Sequence, residues 1–140
     1  MELDITTTLV LRLLLAGFLG GLIGVEREFR SKVAGTRTHL LVALGAALMF
    51  IVSRYGFDGQ SDPARVAAQI VSGIGFIGAG AIMVQRHAVR GLTTAAGIWV
   101  SAGIGMAVAA GLYAVSVATT VISLVGLELL GRISHERRSH

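Results

Sequence analysis

The side chains able to do chemistry gather in one stretch, Glu26-Arg27-Glu28-Phe29-Arg30-Ser31-Lys32-Val33-Ala34-Gly35-Thr36-Arg37, the densest polar run of the chain. Glu26 and Glu28 could ligate a hard cation, which wants oxygen ligands, but Arg27, Arg30, Lys32 and Arg37 stand beside them and can neutralise both. His39 follows with no second histidine or acid at helical spacing, so it reads as an interfacial residue rather than a metal ligand. The chain has no cysteine, which removes disulfides, thiolate metal sites and a cysteine nucleophile. No phosphate-binding lysine loop, metal-spaced cluster or nucleophile with a base is present, so the sequence predicts no catalytic residue, no metal, no cofactor and no enzyme. Gly73-Ile-Gly75-Phe-Ile-Gly78 matches the dinucleotide pattern G-x-G-x-x-G. It lacks the preceding strand and the acid about 20 positions on, where Ala95 to Ile98 stand instead.

The elements that must position these residues are membrane helices. Residues 66–84, VAAQIVSGIGFIGAGAIMV, carry no charge, and as a helix they would cover about 30 Å, the hydrocarbon thickness of a bilayer. Open strands cannot leave backbone groups unpaired there. On a helical wheel Gly73 and Gly80 fall together near Gln69, with Gly75 and Gly78 roughly opposite, so two glycine grooves predict neighbours on two sides and a place at the bundle centre. Gln69 and Ser72 are the only hydrogen-bonding side chains of the stretch. An equally bland reading makes it a glycine-rich span with a structural role alone.

Composition gives the same class: 140 residues, 54% hydrophobic, 14% charged, 19 glycines and one proline, with a mean hydropathy of +0.76. The sequence pI of about 10.7 does not point to nucleic acid, because the basic residues lie between apolar runs and form no dense stripe. An acidic start, Met1-Glu2-Leu3-Asp4, is unlike a cleavable signal peptide, so the first span is expected to remain. That span, about 5–25, holds the overlapping pairs Gly17/Gly21 and Gly20/Gly24 and is interrupted by Arg12, which must face protein or reach the headgroups. A second span is expected over about 38–53. Asp62 can cap the third and Pro63 occupy its first turn, giving about 64–84. The 37 uncharged residues from Gly91 to Leu127 are too long for one crossing, so they should fold back near Ala109-Ala110-Gly111 into spans of about 92–108 and 112–131. Trp99 is expected to pack rather than to anchor at an interface.

Nine Lys and Arg lie on one side of these five spans and only Arg54 and Arg65 on the other, which puts the amino terminus outside and the carboxy terminus in the cytoplasm. The cytoplasmic face then gathers Glu26, Arg27, Glu28, Arg37, Arg90, Thr93 and Thr94. In a structural reading Glu26 pairs with Arg37 or Arg90, and Thr93 or Thr94 caps the fourth span. In a functional one the cluster is a docking surface for a partner or for anionic lipid. The expected fold is a single all-α domain, a polytopic membrane helix bundle.

Four blocks carry a resemblance: Gly24-Val25-Glu26-Arg27-Glu28, Ala34-Gly35-Thr36-Arg37-Thr38, residues 69–80, and Val89-Arg90-Gly91-Leu92-Thr93-Thr94-Ala95-Ala96-Gly97-Ile98-Trp99. They resemble, in order, the motifs of the MgtC/SapB membrane protein family over about Leu13 to Arg132. The resemblance implies a multi-pass protein of the bacterial inner membrane. Its family has been labelled as magnesium transporters, and some members act as regulators of growth in low magnesium and are linked to inhibition of the F-type ATP synthase. Well-studied members add a soluble carboxy-terminal domain, and this sequence stops about nine residues after Gly131.

The residues themselves weigh against transport. A magnesium path should show acids lining the spans, and the spans supply Arg12 and, at one edge, Glu128. Two readings therefore stand: a regulator acting through helix contacts in the lipid bilayer, with a second copy, another membrane protein or an ATP synthase subunit as partner, or a magnesium transporter or channel. A continuous polar path would favour the second, and a dry glycine-packed core with a polar rim the first.

Overall fold

The computed structural model describes residues 4–136; Met1, Glu2 and Leu3 at the start and Arg137 and Arg138 of the basic tail lie outside the described residues. Five helices form, α1 (Ile5–Phe29), α2 (Thr36–Tyr55), α3 (Pro63–Gly80), α4 (Leu92–Ala109) and α5 (Tyr113–Glu136), with a short hairpin of β1 (Met83–Gln85) and β2 (Ala88–Arg90) between α3 and α4. The molecule is the all-α bundle that the hydropathy predicts. Four of the helices, α1, α2, α4 and α5, are long and apolar enough to cross a membrane.

Local chemistry sets most boundaries. Asp62 Oδ1 accepts from the Ala64 amide at 2.9 Å and Pro63 opens α3, as the Ser-Asp-Pro sequence implies. The fold-back comes where expected, with α4 ending at Ala109 and Gly111 turning the chain at φ +84°. Three boundaries differ by four residues or more, the first being α5, which runs past the expected 131 to Glu136. α1 continues past residue 25 to Phe29, which lifts Glu26, Arg27 and Glu28 out of a loop and onto a helix. α3 stops at Gly80, so Met83 and Val84 belong to a strand and not to a span reaching residue 84.

The core corrects the expectation about which helix is central. Ala16, Leu19 and Ile23 of α1 meet Ala47 and Ile51 of α2 and Ile104, Val108 and Ala109 of α4. A second cluster joins Val42 and Ala46 to Ile98 and Ala102, with Ala34 and Ala81 at its edge. Thus α1, α2 and α4 form the centre, and α3 lies against α2 and α4 with Gly78 as its only buried residue. The physical reason is close backbone approach. A methyl group at Gly20 would stand 2.6 Å from the His39 carbonyl oxygen, one at Gly24 would stand 2.8 Å from the Gly35 carbonyl oxygen, and one at Gly105 would overlap the Ala43 carbonyl. By contrast Gly73, Gly75 and Gly80 have nothing within 4 Å of where a Cβ would be, and Gly78 meets Ala95 at an ordinary distance.

α3 still runs the length of its neighbours. Ser61 at its start donates to the carbonyl of Ser53, near the end of α2, and Gly78 near its end packs on Ala95 at the start of α4. Pro63, Arg65 and Gln69 dilute its apolar content, which explains why it falls outside the four. Outward faces are apolar: Phe18, Leu41, Phe76, Ile122 and Leu130 are all well exposed, an arrangement that suits lipid and not water. Trp99 is among them, half exposed on α4, contrary to the packing role expected of it.

Candidate functional site

Polar side chains concentrate at the end of the bundle where α1 finishes and α2 and α4 begin. Because α1 extends to Phe29, Glu26 and Arg27 sit on its last turn. The Arg27 guanidinium grips Glu26 with two bonds, Nε to Oε2 at 2.6 Å and Nη2 to Oε1 at 3.0 Å, and is itself buried. A bidentate fork of this kind is the strong form of a carboxylate pair. Glu26 also lies 3.7 Å from Arg30, one turn on, and Arg30 reaches across to Glu128 of α5 at 2.7 Å. Arg132 completes the chain on the far side of Glu128, also at 2.7 Å. The Glu128 carboxylate pushes the Arg30 guanidinium's pKa upward, chiefly through that hydrogen bond. This ladder joins the first helix to the last.

The expected pairing of Glu26 with Arg37 or Arg90 does not occur: both arginines are exposed, and Glu26 is satisfied on its own helix. Glu28 has a different task. It accepts from the Thr36 amide at 3.1 Å and from the Thr36 hydroxyl, so a carboxylate from α1 caps the start of α2, where free amides and the positive end of the helix dipole favour an anion. Neither Thr93 nor Thr94 caps α4. Its N-cap is Gly91 in the left-handed region, Thr94 is buried and Thr93 is exposed.

His39, in the first turn of α2, is buried completely within the protein. Its Nδ1 lies 2.9 Å from the Gly35 carbonyl oxygen, which can only accept, so Nδ1 carries the proton and Nε2 presents a lone pair. That lone pair has no partner among the described residues, and a methyl group at Gly97 would sit 3.2 Å from it. The sequence singled out His39 but not its burial; the available signal was the four-residue spacing from Gly35.

The intramembrane polar residues divide. Arg12 faces protein: Nη1 donates to the Ala109 carbonyl at 2.8 Å and Nε to the Tyr113 hydroxyl at 2.7 Å, so it caps the end of α4. Gln69 and Ser72 are exposed on α3. Gln69 borders a groove of about 640 Å³ between α2 and α3, lined also by Thr38, Gly45, Met49, Gly73 and Ile77. On α1, Gly17 and Gly21 meet Leu40 of α2, while Gly20 and Gly24 carry the close backbone contacts. Thus the glycines of α1 are filled from within the chain, and those of α3 other than Gly78 are open.

A profile of the MgtC family matches residues 13–136. "Putative magnesium transporter YhiD" of Escherichia coli K12 is 47% identical over 136 residues, covering 92% of this chain and 63% of its own length. Protein MgtC of Brucella abortus strain 2308 is 52% identical over 115 residues, 82% of this chain and 48% of its own. Protein MgtC of Salmonella typhimurium LT2 is 52% identical over 121 residues, 86% of this chain and 52% of its own. The chain therefore spans less than two thirds of the length of these relatives. No solved structure matches it. A family profile that runs from within α1 to the end of α5, with relatives at about half identity across the same helices, shows that the chain belongs to the MgtC family.

Proposed function

We propose that this protein is a regulator embedded in the bacterial inner membrane, acting through helix contacts within the bilayer under magnesium limitation. The supporting observation is that α1, α2 and α4 meet in backbone contact at glycines while most glycines of α3 face open space. Gly20, Gly24 and Gly105 bring the backbones of α1, α2 and α4 together so closely that no side chain fits between them. The buried hydroxyls of Ser101, Ser116 and Thr120 each donate to the carbonyl four residues back, so these groups are committed to their own helices. Among the described residues no group of three or more His, Asp and Glu could hold a metal ion. Gly45 and Gly73, by contrast, face open space beside Gln69, a small-residue surface with a hydrogen-bonding group of the kind membrane helices use to associate.

The partner is a second copy or another membrane protein, with an F-type ATP synthase subunit as the one the family resemblance suggests. The name of the Escherichia coli relative supports a second reading, magnesium transport. Two differently tagged copies, co-expressed and extracted in mild detergent, test the first. We expect them to co-purify, and Gly45→Leu with Gly73→Leu to abolish this while leaving each copy folded. Strictly monomeric protein that carries no other membrane protein would count against it.

A further inference from the structure

The hairpin between α3 and α4 is used by nothing described so far. Its register pairs Met83 with Arg90, Val84 with Val89 and Gln85 with Ala88, leaving Arg86 and His87 as the two-residue tip. Cross-strand partners share a face, so Val84 and Val89 form one apolar face, and both are exposed, Val84 at 78%. The hairpin is held firmly at its base. Gly91 follows β2 at φ +89°, with its backbone pressed on the carbonyl of Ala81 so tightly that a Cβ would overlap it, and Ala81 is buried. Ala81 shares its core cluster with Ala34 of the α1–α2 connection, so the hairpin base and that connection are neighbours.

That connection repeats the same pattern. Phe29 and Val33 are exposed, at 85% and 74%, and Lys32 and Arg37 stand among them. Among the described residues Lys32, Arg37, Arg86 and Arg90 form no ion pair, whereas Arg27, Arg30 and Arg132 at this end all do. Exposed aliphatic and aromatic groups interleaved with unpaired cations, directly beyond the ends of membrane helices, match the layered chemistry of one surface: acyl chains below, phosphates above.

We propose that the hairpin Met83–Arg90 is an interfacial foot that binds anionic phospholipid, with Val84 and Val89 at the acyl boundary and Arg86 and Arg90, beside Lys32 and Arg37, on the headgroup phosphates. Charge complementarity selects this occupant. An acidic protein would satisfy the cations but leave the valine face in water, and a neutral lipid would cover the valines but leave four cations without anions. The inference holds whether the protein regulates or transports.

The test places one fluorophore in the foot. In a Trp99→Phe background, Val84→Trp reports depth in nanodiscs of phosphatidylglycerol or of phosphatidylcholine. We expect lipids brominated high in the acyl chain to quench it and aqueous iodide not to, most strongly in phosphatidylglycerol. Native mass spectrometry should show phosphatidylglycerol retained over phosphatidylcholine, with the preference falling about fivefold for each of Arg86→Gln and Arg90→Gln, and kept in Arg86→Lys and Arg90→Lys. Iodide quenching with no effect of brominated lipid would overturn the proposal. So would equal retention of the two lipids, or displacement of phosphatidylglycerol by millimolar inorganic phosphate, which would make the ligand a free anion.

Discussion

Arg27 is the buried charge on which the polar end depends, and among the described residues its side chain bonds to Glu26 alone. Removing one member of a buried pair strands the other, which costs about 3 to 5 kcal/mol, whereas replacing both with apolar or neutral groups of similar size costs much less. Glu26→Ala, which strands the buried Arg27, should therefore destabilise the protein by that amount in detergent unfolding, and Glu26→Gln combined with Arg27→Met should restore most of it. Equal losses in the single and double variants would show that the pair does not act as a unit. The sequence placed Glu26 and Arg27 at this end correctly but assigned the wrong partner. Opposite charges scattered over several connections do not say which will meet; that depended on α1 running one turn further, which brought Arg30 to the i, i+4 position from Glu26. His39 was less legible still, because burial of a polar side chain at a helix start is decided by the two other helices that close over it.

At the scale of helices, the glycines of α1 and α4 and those of α3 make opposite predictions. Gly20→Leu and Gly105→Leu force side chains into neighbouring backbone and should cost about 3 kcal/mol or more, read as lost folded protein in detergent. Gly73→Leu and Gly75→Leu enter open space and should leave the folded monomer intact. If Gly73→Leu proved as damaging as Gly20→Leu, the placement of α3 at the periphery would be wrong. The glycine pairs of α1 were readable as a packing face because their spacing of four puts them in one groove, and α2 fills it. The grooves of α3 were equally readable, and yet they misled about the centre. A helical wheel shows which residues share a face, but it does not show what covers that face, and here only Gly78 is covered. The turn at Gly111 and the cap at Asp62 were legible since each is fixed by residues adjacent in sequence. The hairpin was not: Met83 and Val84 are as apolar as the span before them, and only Gly91 with its left-handed backbone signals the break.

The whole molecule has one basic end, which carries Arg27, Arg30, Lys32, Arg37, Arg86 and Arg90, and an opposite end with Arg54 and Arg65. From this charge asymmetry we propose that the basic end faces the cytoplasm. As the chain contains no cysteine, Gln60→Cys and His87→Cys can be labelled one at a time with an impermeant maleimide. In intact cells Gln60→Cys should react and His87→Cys should react only after lysis; the reverse would invert the topology. The same view of the molecule sets the functional account. We propose a regulator because Gly20, Gly24 and Gly105 hold α1, α2 and α4 in backbone contact while the glycines open to space lie beside the groove between α2 and α3. Magnesium flux tests this most directly. The purified chain is reconstituted into liposomes that enclose a magnesium-sensitive dye, and an inside-negative potential is imposed. The account predicts uptake no faster than in liposomes without protein, and saturable, voltage-dependent uptake by the isolated protein would contradict it.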